Sequence, residues 1–339
     1  MASEEKKKVV VLSCGRPMGN SEILGREACF GAEEAGAKTE ILRLYDFTIR
    51  PCTGCEACSM TMAKGGVAKC VVKGDDANFL MEKVCYEDCA LIISSPVYFL
   101  SPPGYLKMLI DRFLPFIMNR PDAFFDKTRV GASIAVGGGE PAWTPQGLFA
   151  TNMFILYNRV LVDQMMVNFA SRPGLVTLNE KALRRARELG RNVATAANTP
   201  IEKVRFMGEE LENACPVCHV NIWQIGSNVP KGVTAESGFF DLEMLDGVMR
   251  KSPDASQVVC PNCDIIGKLE IVGGRAKVSW NEADVRHHRV SQAGMPEHFE
   301  LIKRIHIKAF EQAEKITAGK GVYRSQDNLV KPPRPKSTV

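Results

Sequence analysis

Apolar runs recur along the first 170 positions, and each is followed by a segment whose apolar residues repeat every three or four positions. KKVVVLSC (7–14), ALIISS (90–95), VGASIAV (130–136) and VLVDQMMVN (160–168) are nearly unbroken, as in strands buried on both faces of a parallel sheet; TEILRLY (39–45) is the fifth run. Helical spacing marks about 21–35, about 76–88, GYLKMLIDRFL (104–114), 145–159 and 178–197. Alternation of this kind predicts an α/β fold, an open doubly wound five-stranded parallel sheet. Ligands of such sheets bind beyond the carboxyl ends of the strands, and the loops of unusual composition all fall there. NTPIEKV (198–204) reads as a linker. Beyond it come short strand-like runs, KLEIVGG (268–274) and AKVSW (276–280), an amphipathic helix from Gly294 to about Ile316, and a Pro-rich basic end. The expected units are 1–200, with a cysteine loop at 51–70; a small metal-ribbon unit, 201–283; and a helix with a loose tail, 284–339.

Composition narrows the class. In 339 residues, 45% hydrophobic and 24% charged content belongs to a globular chain with a substantial core. No run approaches the roughly 20 apolar residues that cross a bilayer. MASEEKKKVVVLSCG enters a strand directly, without a signal-peptide core, so a cytoplasmic protein without a membrane partner is expected. The net charge of +4 equals the excess in residues 319–339, where Lys320, Arg324, Lys331, Arg334 and Lys336 face Asp327. The body is near neutral, which argues against nucleic acid. Twelve cysteines without an export signal point to metal sites rather than disulfides.

Three loops at strand ends carry candidate ligand contacts. SCGRPMGNSE (13–22) joins a buried strand to a helix, so its backbone N–H groups and the helix dipole suit a phosphate, with Ser13, Asn20 and Ser21 as donors, Gly19 in the turn and Arg16 adding charge. It is neither a Walker loop nor a G-x-G-x-x-G fingerprint. In SSPVYFLSPPG (94–104), Pro96, Val97, Tyr98 and Phe99 are placed to meet the edge of a flat ligand, although the two aromatics also suit a core. Gly137, Gly138 and Gly139 allow close backbone approach, and Trp143 either covers a ring or only packs.

Cys52, Cys55 and Cys58 stand at every third position, with Cys70 beyond. That spacing suits an iron–sulfur cluster better than one tetrahedral ion; a structural zinc or metal-free thiols are the alternatives. A second signal pairs Cys215-Pro-Val-Cys218 with Cys260-Pro-Asn-Cys263, two knuckles of an S4 zinc site, with rubredoxin-like iron as the rival. His219 and Asp264 stand where rubredoxins usually place glycine, and His219 is a spare ligand. An insertion such as 225–255 is expected at the tip of this ribbon. Cys29, Cys85 and Cys89 read as small buried hydrophobes, and His287-His288 as a solvated pair.

Taken together, Ser13-Cys14-Gly15-Arg16 with Gly19-Asn20-Ser21, Ser95-Pro96-Val97-Tyr98, Ile110-Asp111-Arg112, the four clustered cysteines and Asp75-Asp76 resemble the flavodoxin-like NAD(P)H-dependent FMN reductases, and more closely the iron–sulfur flavoproteins of anaerobic bacteria and archaea. The resemblance covers about the first 200 residues. It implies FMN, a 4Fe-4S cluster, and a homodimer or homotetramer with the flavin near a subunit boundary. Two departures stand out: residues 59–69 lengthen the last cysteine interval, and Cys14 replaces the phosphate-loop serine.

A flavin beside a one-electron centre converts hydride into single electrons. The leading expectation is an oxidoreductase passing electrons between NAD(P)H or ferredoxin and a small-molecule or protein acceptor. A second is a substrate-specific FMN-dependent reductase or dehydrogenase of a small conjugated or aromatic compound, for which Trp223, Phe239, Phe240 and Trp280 could line a pocket, although core packing is the default for them. A third is a redox sensor or scaffold without turnover. No obligatory general acid or nucleophile is apparent, so the catalytic residues are unknown.

Overall fold

The computed structural model describes residues 7–125, 127–225 and 257–324. Phe239 and Phe240, most of the expected ribbon-tip insertion, and the tail with Asp327, Lys331, Arg334 and Lys336 lie outside them.

The apolar runs form β1 (Lys8–Ser13), β2 (Lys38–Arg43), β3 (Ala90–Val97), β4 (Val130–Gly137) and β5 (Val160–Val167). All pair in parallel, in the order β2-β1-β3-β4-β5, the flavodoxin-like arrangement. β3 and β4 are buried at every residue, because helices cover both faces. One face carries α1 (Asn20–Glu34) and, late in the chain, α8 (Glu180–Ala197). The other carries α2 (Ala57–Ala63), α3 (Ala77–Met81), α4 (Gly104–Ile110), α5 (Leu114–Asn119), α6 (Pro121–Phe125) and α7 (Gln146–Leu156). The helix expected over 76–88 is α3 followed by a π-turn at Glu82–Tyr86.

α1 and α8 pack backbone to backbone. A Cβ on Gly31 would lie 1.8 Å from the Arg187 carbonyl oxygen, and one on Gly190 would lie 1.8 Å from that of Ala28. Only glycine permits this crossing.

After α8 the chain returns along the free edge of the sheet, where the Met207 N–H donates to the Val162 carbonyl at 2.7 Å. Among the described residues, a second, antiparallel sheet follows, β6 (Gln224–Ile225), β7 (Gln257–Val259), β8 (Ile266–Val272) and β9 (Arg275–Trp280). β8 and β9 form a hairpin through Gly273-Gly274, both with positive φ, as a two-residue turn requires. Helices α9 (Glu282–Arg286), α10 (Gly294–Glu311) and α11 (Ala313–Arg324) close the description; the single helix expected to about Ile316 breaks at Gln312. Cys215, Cys218, Cys260, Cys263, Ile265, Val290 and Met295 join the same apolar cluster as Leu91, Phe113 and Phe154. The C-terminal part therefore shares the core of the sheet.

No helix among the described residues is long and apolar enough to cross a membrane.

Candidate functional site

Three loops converge beyond the carboxyl ends of β1, β3 and β4, and a fourth after β5 joins them. They enclose a cavity of about 220 Å³ lined by Gly15, Arg16, Gly19, Asn20, Ser21, Pro96, Val97, Tyr98, Val136, Gly138 and the run Ala170–Pro173. Of the residues singled out in the sequence, Arg16, Gly19, Asn20, Ser21, Pro96, Val97, Tyr98 and Gly138 line it. Ser13, Phe99, Gly137, Gly139 and Trp143 do not form its wall. Ser171 and Arg172 were not singled out; the signal was the turn sequence Ser-Arg-Pro-Gly directly after a strand.

Local bonds explain the shape. No side chain caps α1 at Gly19, so the first N–H groups of that helix are open to an anion. Ser13 is buried at the end of β1 and its Oγ has no hydrogen-bond partner. The Asn20 side chain is otherwise engaged. Its Nδ2 donates to the carbonyls of Ala170 and Arg172, each at 2.8 Å, and its Oδ1 accepts from the Val176 N–H at 3.1 Å. Asn20 thus joins the phosphate-type loop to the loop after β5. Glu22, its side chain fully buried, accepts from the Met18 N–H and pairs with Arg26 and Arg43. Burial alone would push its carboxyl up, but these partners hold it below the ordinary value. Cys14 faces the core, where burial pushes its thiol far up and Sγ lies 3.6 Å from the Leu12 carbonyl. It offers nothing to a phosphate. A backbone that presents N–H groups at one helix N-terminus, with Arg16 and Arg172 in the same wall, fits the phosphate end of FMN.

The ring side is an exposed aromatic rim. Phe99 is 92% exposed, with Phe99 and Leu100 both at positive φ. Holding two bulky residues there costs on the order of 1–2 kcal/mol each, and the Tyr98–Ser101 bridge maintains the turn. Tyr98 and Trp143 are half exposed, and Tyr45 stacks on Tyr105 at 5.0 Å. The β4–α7 loop is fastened to the loop after β5 by the N–H groups of Phe169 and Ala170, which donate to Gly139 and Gly137.

The first cysteine set lies on the loop after β2. Cys52 and Cys55 are exposed, and Cys58 and Cys70 half-buried. Among the described residues these sulfurs do not form a group within 4.8 Å, the spacing a single ion demands. The four thiols thus stand open at the surface and its margin, not gathered as the second set is. Backbone N–H groups already point at the sulfurs: Gly54 at Cys52, 3.5 Å, and Ala57 at Cys55, whose thiol is lowered chiefly by that bond. The chain curls through positive φ at Gly54 and Glu56 to do this. The lengthened interval is folded in part: α2 takes up its first five residues and packs on α5 and α10, and Asn119 Nδ2 holds the Ala68 carbonyl at 2.6 Å.

The second set is gathered. The sulfurs of Cys215, Cys218, Cys260 and Cys263 lie within 4.8 Å of one another, all fully buried, with Cys218 and Cys260 3.5 Å apart. A tetrahedral ion with sulfur at about 2.3 Å requires sulfur pairs about 3.8 Å apart. The donor set therefore fits one soft ion. Hydrogen bonds from Cys215, Cys218 and Cys263 lower the Cys260 thiol. His219 and Asp264 take the positive φ of the knuckle turns. The His219 ring stacks on Phe206 at 3.6 Å and its Nδ1 meets Glu210, so it is not a fifth ligand. Trp223 and Trp280 donate to the carbonyls of Asn213 and Ala214; they brace the first knuckle rather than line a cavity. Cys85 and Cys29 are core residues, their thiols pushed by burial to about 12 and about 11. His287 pairs with Glu297 at 3.0 Å.

Residues 7–170 match the NADPH-dependent FMN reductase family. An iron–sulfur flavoprotein of Methanocaldococcus jannaschii is 30% identical over 199 residues, covering 56% of this chain and 95% of that protein. Another, from Archaeoglobus fulgidus, is 31% identical over 190 residues, covering 56% and 80%. A flavone reductase structure shares the fold across 96% of this chain and 99% of its own, with a TM-score of 0.70 and 20% identity. The likeness in fold thus continues through the C-terminal part, while the likeness in sequence is to the sheet and its loops. By fold, cavity and sequence relatives, the chain belongs to the iron–sulfur flavoprotein family of FMN reductases and is an FMN-dependent oxidoreductase.

Proposed function

We propose that this chain passes electrons between NAD(P)H or ferredoxin and an acceptor through FMN and a 4Fe-4S cluster. When bound, FMN supplies hydride exchange divisible into single electrons, and the cluster supplies one-electron relay. The observation that carries this reading is the cavity at the N-terminus of α1, together with a loop after β2, the strand beside β1, whose N–H groups face cysteine sulfurs. Arg16, Arg172 and the N–H groups of Asn20 and Ser21 would hold the phosphate. Backbone at Val97 and Gly138 orients the nucleotide, and Tyr98 leads to the exposed rim. At about 220 Å³ the cavity is below the range for a whole ligand. The exposed rim at Tyr98 and Phe99 would meet the remainder of the nucleotide, and a second copy of the chain in a homodimer or homotetramer would cover that rim. Cys52, Cys55, Cys58 and Cys70 hold the cluster. Cys215, Cys218, Cys260 and Cys263 would hold zinc, which fastens the two knuckles to each other. No side chain is given the role of acid, base or nucleophile.

Anaerobic purification with iron, sulfide, zinc and flavin analysis tests the assignment. About four irons and four sulfides, one FMN and one zinc per chain are expected. A preparation without flavin and acid-labile sulfide refutes it. Arg16→Ala should weaken FMN binding by about tenfold, the loss of one charge-assisted contact; unchanged affinity places the phosphate elsewhere.

One observation favours the second reading, a reductase of a specific conjugated compound. A cavity of about 660 Å³ opens between β5, the β4–α7 loop and the returning segment, with Leu148, Met166, Phe169, Leu211, Val220 and Ile222 among its walls. Flavone is a suitable first probe. Compound-specific reoxidation of the reduced flavin selects this reading; equal rates with unrelated acceptors reject it.

A further inference from the structure

Arg112 and Arg159 are the largest fully buried side chains among the described residues. Arg159 closes the core, donating to the carbonyls of Val84 and Cys89. Arg112 does something different, because every group it reaches belongs to the cysteine loop or its roots. Nη1 donates to the Arg50 carbonyl at 3.1 Å, two residues before Cys52, and to Asp75 Oδ2 at 2.6 Å. Nη2 approaches the Val72 carbonyl and Asp75 Oδ1, each at 3.5 Å. Val72 is two residues beyond Cys70, so the guanidinium charge acts on the Cys70 side chain. Asp75 completes the arrangement, accepting from the Arg50 N–H at 2.9 Å. The pair is almost sealed from solvent, 1% and 2% exposed, and the Arg112 Nε is buried without a partner.

We propose that Arg112 is the positioning residue of the Cys52–Cys70 cluster, joining both roots of the cysteine loop through Asp75 and presenting a fixed positive charge at Cys70. The inference rests on the reading that these four cysteines hold a cluster. It accounts for the long interval between Cys58 and Cys70. A clamp acting on residues 50, 72 and 75 sets the separation of the loop ends whatever length of chain lies between them, and α2 stows the first part of the extra residues. Lysine cannot replace arginine in this role, since a single ammonium lacks the planar fork that reaches a carboxylate and two carbonyls together.

The test compares anaerobically purified wild type, Arg112→Lys and Arg112→Gln for iron and sulfide per chain, rate of iron loss to a chelator, and cluster midpoint potential by redox titration. Partners that orient metal ligands typically change metal retention by about 10–100-fold. Both variants should lose iron faster by about that factor while keeping wild-type FMN content. Only Arg112→Gln should move the midpoint to a more negative value, because Arg112→Lys preserves the charge. A merely structural role would not separate the two potentials. Should Arg112→Gln fail to fold, Asp75→Asn, which keeps the size of the side chain, reads the same clamp. It should lose iron faster and shift the midpoint to a more positive value. Wild-type iron loss in the variants, or equal midpoints in Arg112→Lys and Arg112→Gln, overturns the proposal. A wild-type protein holding flavin but no iron or sulfide sinks the cluster reading itself, an outcome distinct from either.

Discussion

Asn152 is the sharpest test of how the C-terminal part is held. It is fully buried on α7, and its Nδ2 donates to the Cys218 carbonyl at 2.9 Å and to Gln164 Oε1 at 2.6 Å. Gln164 in turn donates to the His219 carbonyl. Two amides of the sheet layer therefore grip the first knuckle. Asn152→Leu keeps the approximate volume and removes both donations. Each acceptor left buried without a donor costs about 1–3 kcal/mol, and the change also removes Asn152 Oδ1, itself buried and unpaired. The net loss should be about 2–4 kcal/mol. Equilibrium urea unfolding of the zinc-loaded protein, followed by far-UV circular dichroism and by tryptophan fluorescence, measures it. Trp223 and Trp280 report the knuckle region directly, through their bonds to Asn213 and Ala214. A loss under about 0.5 kcal/mol would show that the metal alone seats the knuckle.

Gly190→Ala drives a methyl to within 1.8 Å of the Ala28 carbonyl; thermal unfolding should show a loss of at least about 2 kcal/mol, and an unchanged midpoint would mean α1 and α8 can separate freely. Glu22→Gln weakens the bond that holds Met18 beside the phosphate cavity, so FMN affinity measured by fluorescence titration should fall by about fivefold, equivalent to about 1 kcal/mol; unaltered affinity dissociates Glu22 from the loop. For Asp75, burial pushes the carboxyl up, but Arg112 and the N–H groups of Arg50 and Ala77 outweigh it, leaving the folded value below the ordinary 3.8. Its contribution is therefore present above the unfolded value and lost as pH falls through the folded one. Between about pH 5 and about pH 2.5, urea midpoints of wild type should fall more steeply than those of Asp75→Asn; parallel curves would refute the assignment.

The parallel sheet was legible because its strands are buried on both sides, and unbroken apolar runs such as ALIISSPV have few other fates. The two knuckles were legible because a Cys-x-x-Cys pair declares itself locally. Other features depend on partners distant in sequence. α2 reads as loop in MTMAKGG, with Thr61, Gly65 and Gly66 against it, and its helix rests on packing against α5 and α10. Asn20 looked like a donor to a ligand, yet three partners about 150 positions away engage its side chain. Asn152 and Gln164 are uncharged polar residues inside apolar segments, and only the knuckle carbonyls beside them reveal their purpose. Trp223 and Trp280 resembled pocket walls for the same reason: an indole suits a cavity and a core equally well until its N–H partner is known.

The second cysteine pair meets the first across 42 positions of chain, over a floor built by residues that precede both. On a ribosome that floor emerges first, Cys215 and Cys218 later, Cys260 and Cys263 last. A four-sulfur pocket therefore exists only once Cys263 has been made. Meanwhile Cys52, Cys55, Cys58 and Cys70 are already synthesised, and thiolates of this kind accept the same soft ions. On the proposed assignment, the exposed thiols of the early loop meet soft ions before the second pocket exists to compete for them.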